Sequence, residues 1–159
     1  MITSIFSKSK PINFIMVAGF VIVLFVTSNF NQLFADVSTA LKTSVRLIVA
    51  VFFVFLLDFI ISKNNLTKKN GYAIMTFGLL FGLFPEALRY SDLLFANLFV
   101  LFALRRLISL QTNLHTKKKF FDAGFWVMMA TLFHFWSVLF FAVVIVALIY
   151  HSKNNLKKD

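Results

Sequence analysis

Two carboxylates and a guanidinium, those of Glu86, Asp92 and Arg89, stand close together in the sequence and are candidates for binding or catalysis. They are spaced by three, so in a helical turn they share one face. An arginine can clamp a phosphate and a carboxylate can act as a general base. With Asn97, five residues beyond Asp92, they predict a polar pocket for a phosphorylated lipid headgroup or a sugar. The alternative is a solvated loop whose Glu86–Arg89 pair contributes under about 1 kcal/mol.

Asp36 is the second candidate catalytic carboxylate, beside Glu86. It lies in the loop 28–44, which we expect on the same side of the membrane as Glu86. Lys42 and Arg46 are predicted on that side too. The pattern Leu33, Phe34, Val37 and Leu41 in this loop predicts a short helix lying at the membrane interface.

Asp58, Arg105 and Arg106 are further candidate binding residues. Asp58 stands inside the apolar run 45–61, where a carboxylate usually faces a bundle interior or a water path. It could pair with Lys63 or Arg105, or it could couple transport to protons or cations. Arg105 and Arg106 end the fourth run, as a positive anchor at the inner leaflet or as a phosphate site.

No metal or cofactor site is predicted. The sequence has no cysteine, and its three histidines, His115, His134 and His151, lack a second ligand at helical spacing. It has no phosphate-cradling glycine loop, no Gly-x-Ser-x-Gly and no His-Glu-x-x-His. Enzyme chemistry would have to rest on isolated carboxylates.

Long apolar runs must position these residues. The chain has 159 residues, of which 60% are hydrophobic and only 14% charged, against about 25% charged in a soluble domain. Most runs approach the ~17–25 residues that a helix needs to cross a bilayer. They predict one all-α transmembrane domain, residues 1–159, with helices at about 12–28, 45–62, 72–84, 93–110, 121–133 and 137–150.

The last run, 120–150, predicts a broken hairpin with a bend near His134–Trp136. Its 31 residues span roughly 46 Å as a helix, too long for one upright crossing and too short for two. The alternative is one long tilted helix. The fold class is thus a polytopic bundle of four full or near-full spans plus this hairpin, five or six segments in all. Gly78 and Gly82, a Gly-x-x-x-Gly pair, predict close approach of a bulky aromatic ring from a neighbouring helix rather than a dimer partner.

Lysine and arginine predict the orientation and the lipid partner. With a cytoplasmic N-terminus, ten basic residues lie inside and three, Lys42, Arg46 and Arg89, outside. Five crossings would put three further lysines of the tail, Lys153, Lys157 and Lys158, outside, whereas six crossings would put them inside. The net charge of +10 flanks apolar runs, so we expect anionic headgroups on the cytoplasmic side, and not nucleic acid, as partner. Leu33 before Ala35 breaks the cleavage-site pattern, which favours an uncleaved first helix.

The opening MITSIFSKSKPINF, residues 1–14, resembles a family of polytopic inner-membrane proteins of flavobacteria and other Bacteroidota, described as a domain of unknown function. LRRLISL at 104–110, Lys117–Lys119, Phe121-Asp122-Ala123 and Phe125-Trp126 carry the same resemblance. It implies an inner-membrane location without a reaction. Family members are longer, which implies a short member or an N-terminal portion.

A weaker similarity is to lipid-linked sugar transferases, through the short helix pairs and the acid Asp36 in the first outer loop. Those enzymes carry paired acids there, whereas Asp36 stands alone in a much shorter chain. Three functions therefore remain open. They are a non-catalytic subunit or assembly factor of an envelope complex, part of a lipid-linked glycan enzyme, and a small transporter using Asp58 and Asn97.

Overall fold

The structure is a computed structural model that describes residues 6, 11–67, 70–112 and 114–155, with only the backbone of 153–155. Regular structure in these residues is helical. The α-helices are α1 Pro11–Ser28, α2 Phe30–Leu33, α3 Val37–Lys63, α4 Tyr72–Leu83, α5 Glu86–Arg89, α6 Ser91–Ile108, α7 Thr116–Phe133 and α8 Phe141–Asn155. Two 3₁₀ turns, Ser109–Thr112 and Phe135–Phe140, precede α7 and α8.

Four helical segments are long and apolar enough to cross a membrane. They are Pro11–Ser28, Val37–Lys63, Ser91–Thr112 and Phe135–Ser152. The helix α4 is apolar but has only 12 residues, or about 18 Å. The all-helical membrane class predicted from the sequence is confirmed at this level.

The helix α3 begins eight residues earlier than predicted, at Val37 instead of residue 45. The reason is Asp36, whose side chain accepts hydrogen bonds from the backbone N–H groups of Ser38 and Thr39 and so caps the helix. Residues 37–44 are therefore the first turns of α3. Of the residues predicted to form an interfacial helix, Leu33 ends the short helix α2, and Val37 and Leu41 belong to α3.

The chain divides into two compact units, Met1–Leu94 and Phe95–Asp159. In the first unit, α1 and α4 run parallel. Gly71 lies beside Asn13 near the start of α1, and Gly82 lies beside Phe20 and Leu24 further along it. The helix α3 runs antiparallel to α1, since Phe55 in the second half of α3 contacts Phe14 near the start of α1.

Interlocking side chains fill the first unit. Phe25, Val21, Val54 and Leu88 are fully buried in its core. Phe53 of α3 stacks on Phe77 of α4, with ring centroids 5.0 Å apart and planes 3° from parallel. Because lipid tails are as apolar as the core, helix association here rests on such packing more than on the hydrophobic effect.

The Gly-x-x-x-Gly pair lies against α1. A Cβ on Gly78 would stand 2.9 Å from Val17 Cγ1, and one on Gly82 would stand 3.5 Å from Phe20 Cζ. The predicted aromatic ring is found at Gly82, where it is Phe20, whereas the nearest side chain at Gly78 is the smaller Val17.

In the second unit, aromatic rings join α6 to α7. Phe99 stacks on Trp126, with centroids 5.7 Å apart and planes at 14°, and Phe95 and Phe99 both contact Phe133. Residues early in α6 thus meet residues late in α7, so the two helices run antiparallel. Trp126 is a packing residue here.

A break at His134 separates α7 from the final segment. Its backbone is extended, with φ −143° and ψ 110°, and lies within the predicted bend. The chain then reverses, since Phe141 at the start of α8 is near Gly124 and His151 is near Phe120. The break needs no glycine or proline, because the backbone N–H groups of His134 and Ser137 still find acceptors in Ala130 and His134.

Gly78→Leu tests the close approach of α4 to α1. The added side chain meets Val17, which is buried, so we expect a loss of about 1–3 kcal/mol in the free energy of unfolding. Gly19→Leu is the matched control, because a Cβ there meets nothing within 4 Å. Thermal unfolding in detergent should show a lower midpoint for Gly78→Leu alone. Equal midpoints for both variants would contradict the packing.

Candidate functional site

Arg46 is the centre of the polar contacts at one end of the first unit. Its side chain, only 9% exposed, reaches from α3 to two other segments. Nη1 donates to the backbone carbonyl of Arg89 at 2.6 Å. Nη2 donates to the Thr43 hydroxyl at 2.9 Å and to the amide oxygen of Gln32. One guanidinium therefore connects α2, α3 and the end of α5.

The acceptors around Arg46 are neutral. Among the described residues, no carboxylate lies within ion-pair distance of this guanidinium. Burying a charge is costly unless it is paired or hydrogen-bonded. The three hydrogen bonds meet that need in part and fix Arg46 as a structural link, although the sequence predicted it only as a basic residue of the outer side.

Asn29 donates a hydrogen bond to the carbonyl of Leu88, the residue before Arg89. Its Nδ2 donates to the carbonyl oxygens of Phe25 at 3.0 Å and Leu88 at 3.4 Å, and the residue is 1% exposed. Its Oδ1 accepts no hydrogen bond from the described part of the chain. We call Asn29, Arg46 and the carbonyls of Leu88 and Arg89 the 88–89 clasp.

A small cavity lies beside the 88–89 clasp. Ser28, Pro85, Glu86 and Arg89 line it, and its volume is about 130 Å³. The predicted Glu86–Arg89 ion pair is not formed, and within the described residues neither side chain has another ion-pair partner. The cavity therefore has a free carboxylate and a free guanidinium in its wall.

Asp92 and Asn97 are not among the residues that line this cavity. The helix α5 ends at Arg89, Tyr90 is extended with ψ 115°, and α6 begins at Ser91. The spacing of three therefore does not place Glu86, Arg89 and Asp92 on one helical face. Asp92 is exposed and accepts a hydrogen bond from the Ser91 hydroxyl at 3.1 Å. Asn97 is exposed on α6 and belongs to the second unit.

Asp36 serves as the N-cap of α3. One carboxylate oxygen accepts from the Ser38 hydroxyl at 2.5 Å and from the N–H groups of Ser38 and Thr39 at 3.1 and 3.2 Å. These bonds, that of the Ser38 side chain first, lower the pKa of Asp36 to about 2. A carboxylate with so low a pKa is a weak general base at neutral pH.

Asp58 lies half-buried near the end of α3. The predicted pair with Lys63 is absent from the described contacts. Lys63 instead places its ammonium over the Phe59 ring, 5.3 Å from the centroid. The alternative partner, Arg105, is half-buried and belongs to the second unit.

In the second unit, basic side chains fasten the turn between α6 and α7. Arg106 Nε lies 3.0 Å from Asp122 Oδ2, and Lys119 Nζ donates to the carbonyl of Ser109 at 2.5 Å and to the Thr112 hydroxyl at 2.7 Å. The side chains of Arg106 and Asp122 remain partly exposed, so their ion pair contributes at most about 1 kcal/mol. Lys117 and Lys118 are exposed beside it.

Sequence reasoning missed Asn29, Gln32, Thr43 and Asp122. Asn29 and Gln32 act through contacts to residues 59 and 14 positions away, which no local spacing reveals. Thr43 lies three residues before Arg46, but the sequence predicts a loop there, where helical spacing does not apply. Asp122 carried a usable signal, since it is one of only six acids and stands in a strongly basic stretch. No group of three His, Cys, Asp or Glu side chains within the described ranges could hold a metal ion.

Comparison with known proteins adds no relative. A scan against protein-family models and searches of curated proteins and of solved structures found no match. The resemblance to the Bacteroidota family therefore stays a prediction.

Arg46→Ala tests the 88–89 clasp. Removing the guanidinium leaves the Arg89 carbonyl and the Gln32 amide without their donor, so we expect a loss of about 1.5–3 kcal/mol in the free energy of unfolding. Arg89→Ala is the matched control, because Arg89 contributes only its backbone carbonyl to the clasp. Thermal unfolding in detergent should separate the two variants. A midpoint as low for Arg89→Ala would contradict the assignment.

Asp36 gives a pH-dependent prediction. The folded pKa of about 2 lies below the ordinary 3.8, so the cap stabilises the fold above pH 3.8 and is lost as the pH falls toward 2. The difference in unfolding midpoint between the wild type and Asp36→Ala should therefore shrink over that range. Asp36→Asn keeps a capping oxygen that does not titrate, so its difference from Asp36→Ala should stay constant. A wild-type difference that does not change with pH would contradict the capping role.

Proposed function

We propose that the chain is a multi-pass protein of the bacterial inner membrane with a cytoplasmic N-terminus. In this proposal it is a non-catalytic subunit or assembly factor of a larger envelope complex. The observation that carries the non-catalytic part is the use of Asp36, the first candidate catalytic acid, as the N-cap of α3.

The size of the cavity beside Glu86 also supports a non-catalytic role. Pockets for drug-sized ligands have volumes of about 300–1,000 Å³. The cavity beside Glu86 has a volume of about 130 Å³, which is smaller than this range. The second candidate acid, Glu86, therefore lines a cavity whose size suits a small polar group.

Charge supports the orientation. The exposed Lys117 and Lys118 lie at the turn between α6 and α7, and Lys63 ends α3. The positive-inside rule assigns these ends to the cytoplasm, where anionic headgroups would contact them. The 88–89 clasp and its cavity, at the opposite end of α3 from Lys63, then face outward.

A complementation experiment tests the proposed role. The tagged chain is purified in mild detergent from its native host, and the proteins that accompany it are quantified by mass spectrometry. We expect one partner near equal copy number, and we expect its abundance to fall in a strain that lacks the chain. Asp36→Asn and Glu86→Gln should each restore that abundance, because neither carboxylate does chemistry in this proposal.

Gly78→Leu is the control that should fail to restore the partner, since it weakens the fold itself. Loss of activity of the assembly with normal partner abundance in Asp36→Asn or Glu86→Gln would support the enzyme alternative instead. A chain that purifies alone would contradict the subunit proposal and would direct attention to Asp58 as the site of a small transporter.

A further inference from the structure

The cavity beside the 88–89 clasp has two opposite charges that do not neutralise each other. Glu86 and Arg89 are both exposed, both line the cavity, and neither side chain pairs with another described side chain. Two such charges on one short turn would ordinarily attract each other. Both line the cavity without an ion pair between them, which suits a ligand that has both signs.

The backbone that holds these charges is fixed. Asn29 and Arg46 bind the carbonyls of Leu88 and Arg89, and Leu88 is fully buried. Pro85 limits the backbone just before Glu86, with φ −63°. The clasp thus positions the turn before any ligand arrives, which lowers the entropy lost on binding.

The lining residues favour a ligand that has a phosphate, for Arg89, and a primary ammonium, for Glu86. The guanidinium of Arg89 can bind two phosphate oxygens at once, and the Ser28 hydroxyl can donate a third hydrogen bond. The carboxylate of Glu86 can accept from an ammonium. A quaternary ammonium has no N–H to donate and prefers an aromatic cage, and none of the four lining residues is aromatic.

The position of the cavity favours a lipid as the source of that headgroup. Ser28 ends the apolar helix α1, and Pro85 follows the apolar helix α4 within two residues of its end. Leu83 and Phe84 beside it are 72% and 64% exposed, so acyl chains can run along them. The volume of about 130 Å³ suits a headgroup and not a whole lipid.

We propose that this cavity binds the phosphoethanolamine headgroup of a membrane lipid, with the phosphate on Arg89 and Ser28 and the ammonium on Glu86. The proposal rests on the membrane location proposed above and not on the role as a subunit. It gives the outward end of the first unit a specific lipid partner, beside the general attraction of anionic lipids to the basic end.

Native mass spectrometry tests this assignment on the full chain. The protein is delipidated in detergent and titrated separately with phosphatidylethanolamine, phosphatidylcholine and phosphatidylglycerol of matched acyl chains. We expect the wild type to retain phosphatidylethanolamine most strongly. Glu86→Gln and Arg89→Gln should each weaken it about tenfold, the effect of losing one charged contact. Asp92→Asn and Lys42→Gln are the matched controls, since neither residue lines the cavity.

Each other outcome overturns the assignment. Equal retention of the three lipids, or unchanged binding in both cavity variants, would exclude a headgroup site. Glu86→Gln is compared with the wild type in the same titrations. If this variant binds phosphatidylglycerol more strongly than the wild type binds phosphatidylethanolamine, the cavity is a simple anion site. Soluble phosphoethanolamine that binds as tightly as the lipid would assign the site to a free metabolite. Because the readout counts lipids, these results are independent of whether a protein partner is found.

Discussion

The need to satisfy backbone groups at helix ends is the constraint on which the rest of this structure depends. Each helix leaves four N–H and four C=O groups without intrahelical partners, and within a bilayer water cannot supply them. The chain meets this need with side chains. Arg46 and Asn29 donate hydrogen bonds to the carbonyls at the end of α5, and Asp36 accepts hydrogen bonds from the first N–H groups of α3. In the second unit, Lys119 holds the Ser109 carbonyl.

This use of polar residues connects the fold to the proposed function. A chain with only six acids has few groups to give to catalysis, and the structure uses Asp36 and Asp122 in a cap and an ion pair. Glu86 and Arg89 differ from these two acids. Other side chains bind the backbone of their turn, and their own charged groups form no ion pair with a described residue. The proposed headgroup site uses these two side chains, on a turn whose backbone the clasp holds.

The sequence predicted the helical segments well because hydropathy reports directly on what can lie in a bilayer. It also predicted the break at His134, from the length of the run alone. It missed the early start of α3, because residues 38–44 are polar enough to resemble a loop until Asp36 is recognised as a cap. It placed Glu86, Arg89 and Asp92 on one face, because nothing in the spacing shows that Tyr90 interrupts the helix. The partners of Arg46 in α2 and α5 depend on how these helices meet α3, which no local pattern records.

The 88–89 clasp is proposed to face outward, and cysteine labelling of the loops at both membrane surfaces tests this orientation. The chain has no cysteine, so single replacements of Lys42, Asp92, Lys63 and Lys118 give a clean background. In spheroplasts, a membrane-impermeant maleimide should label cysteines at 42 and 92 at once. Those at 63 and 118 should react only after lysis. If the cysteines at 63 and 118 are labelled in intact spheroplasts and those at 42 and 92 are protected, the outward orientation of the clasp is contradicted.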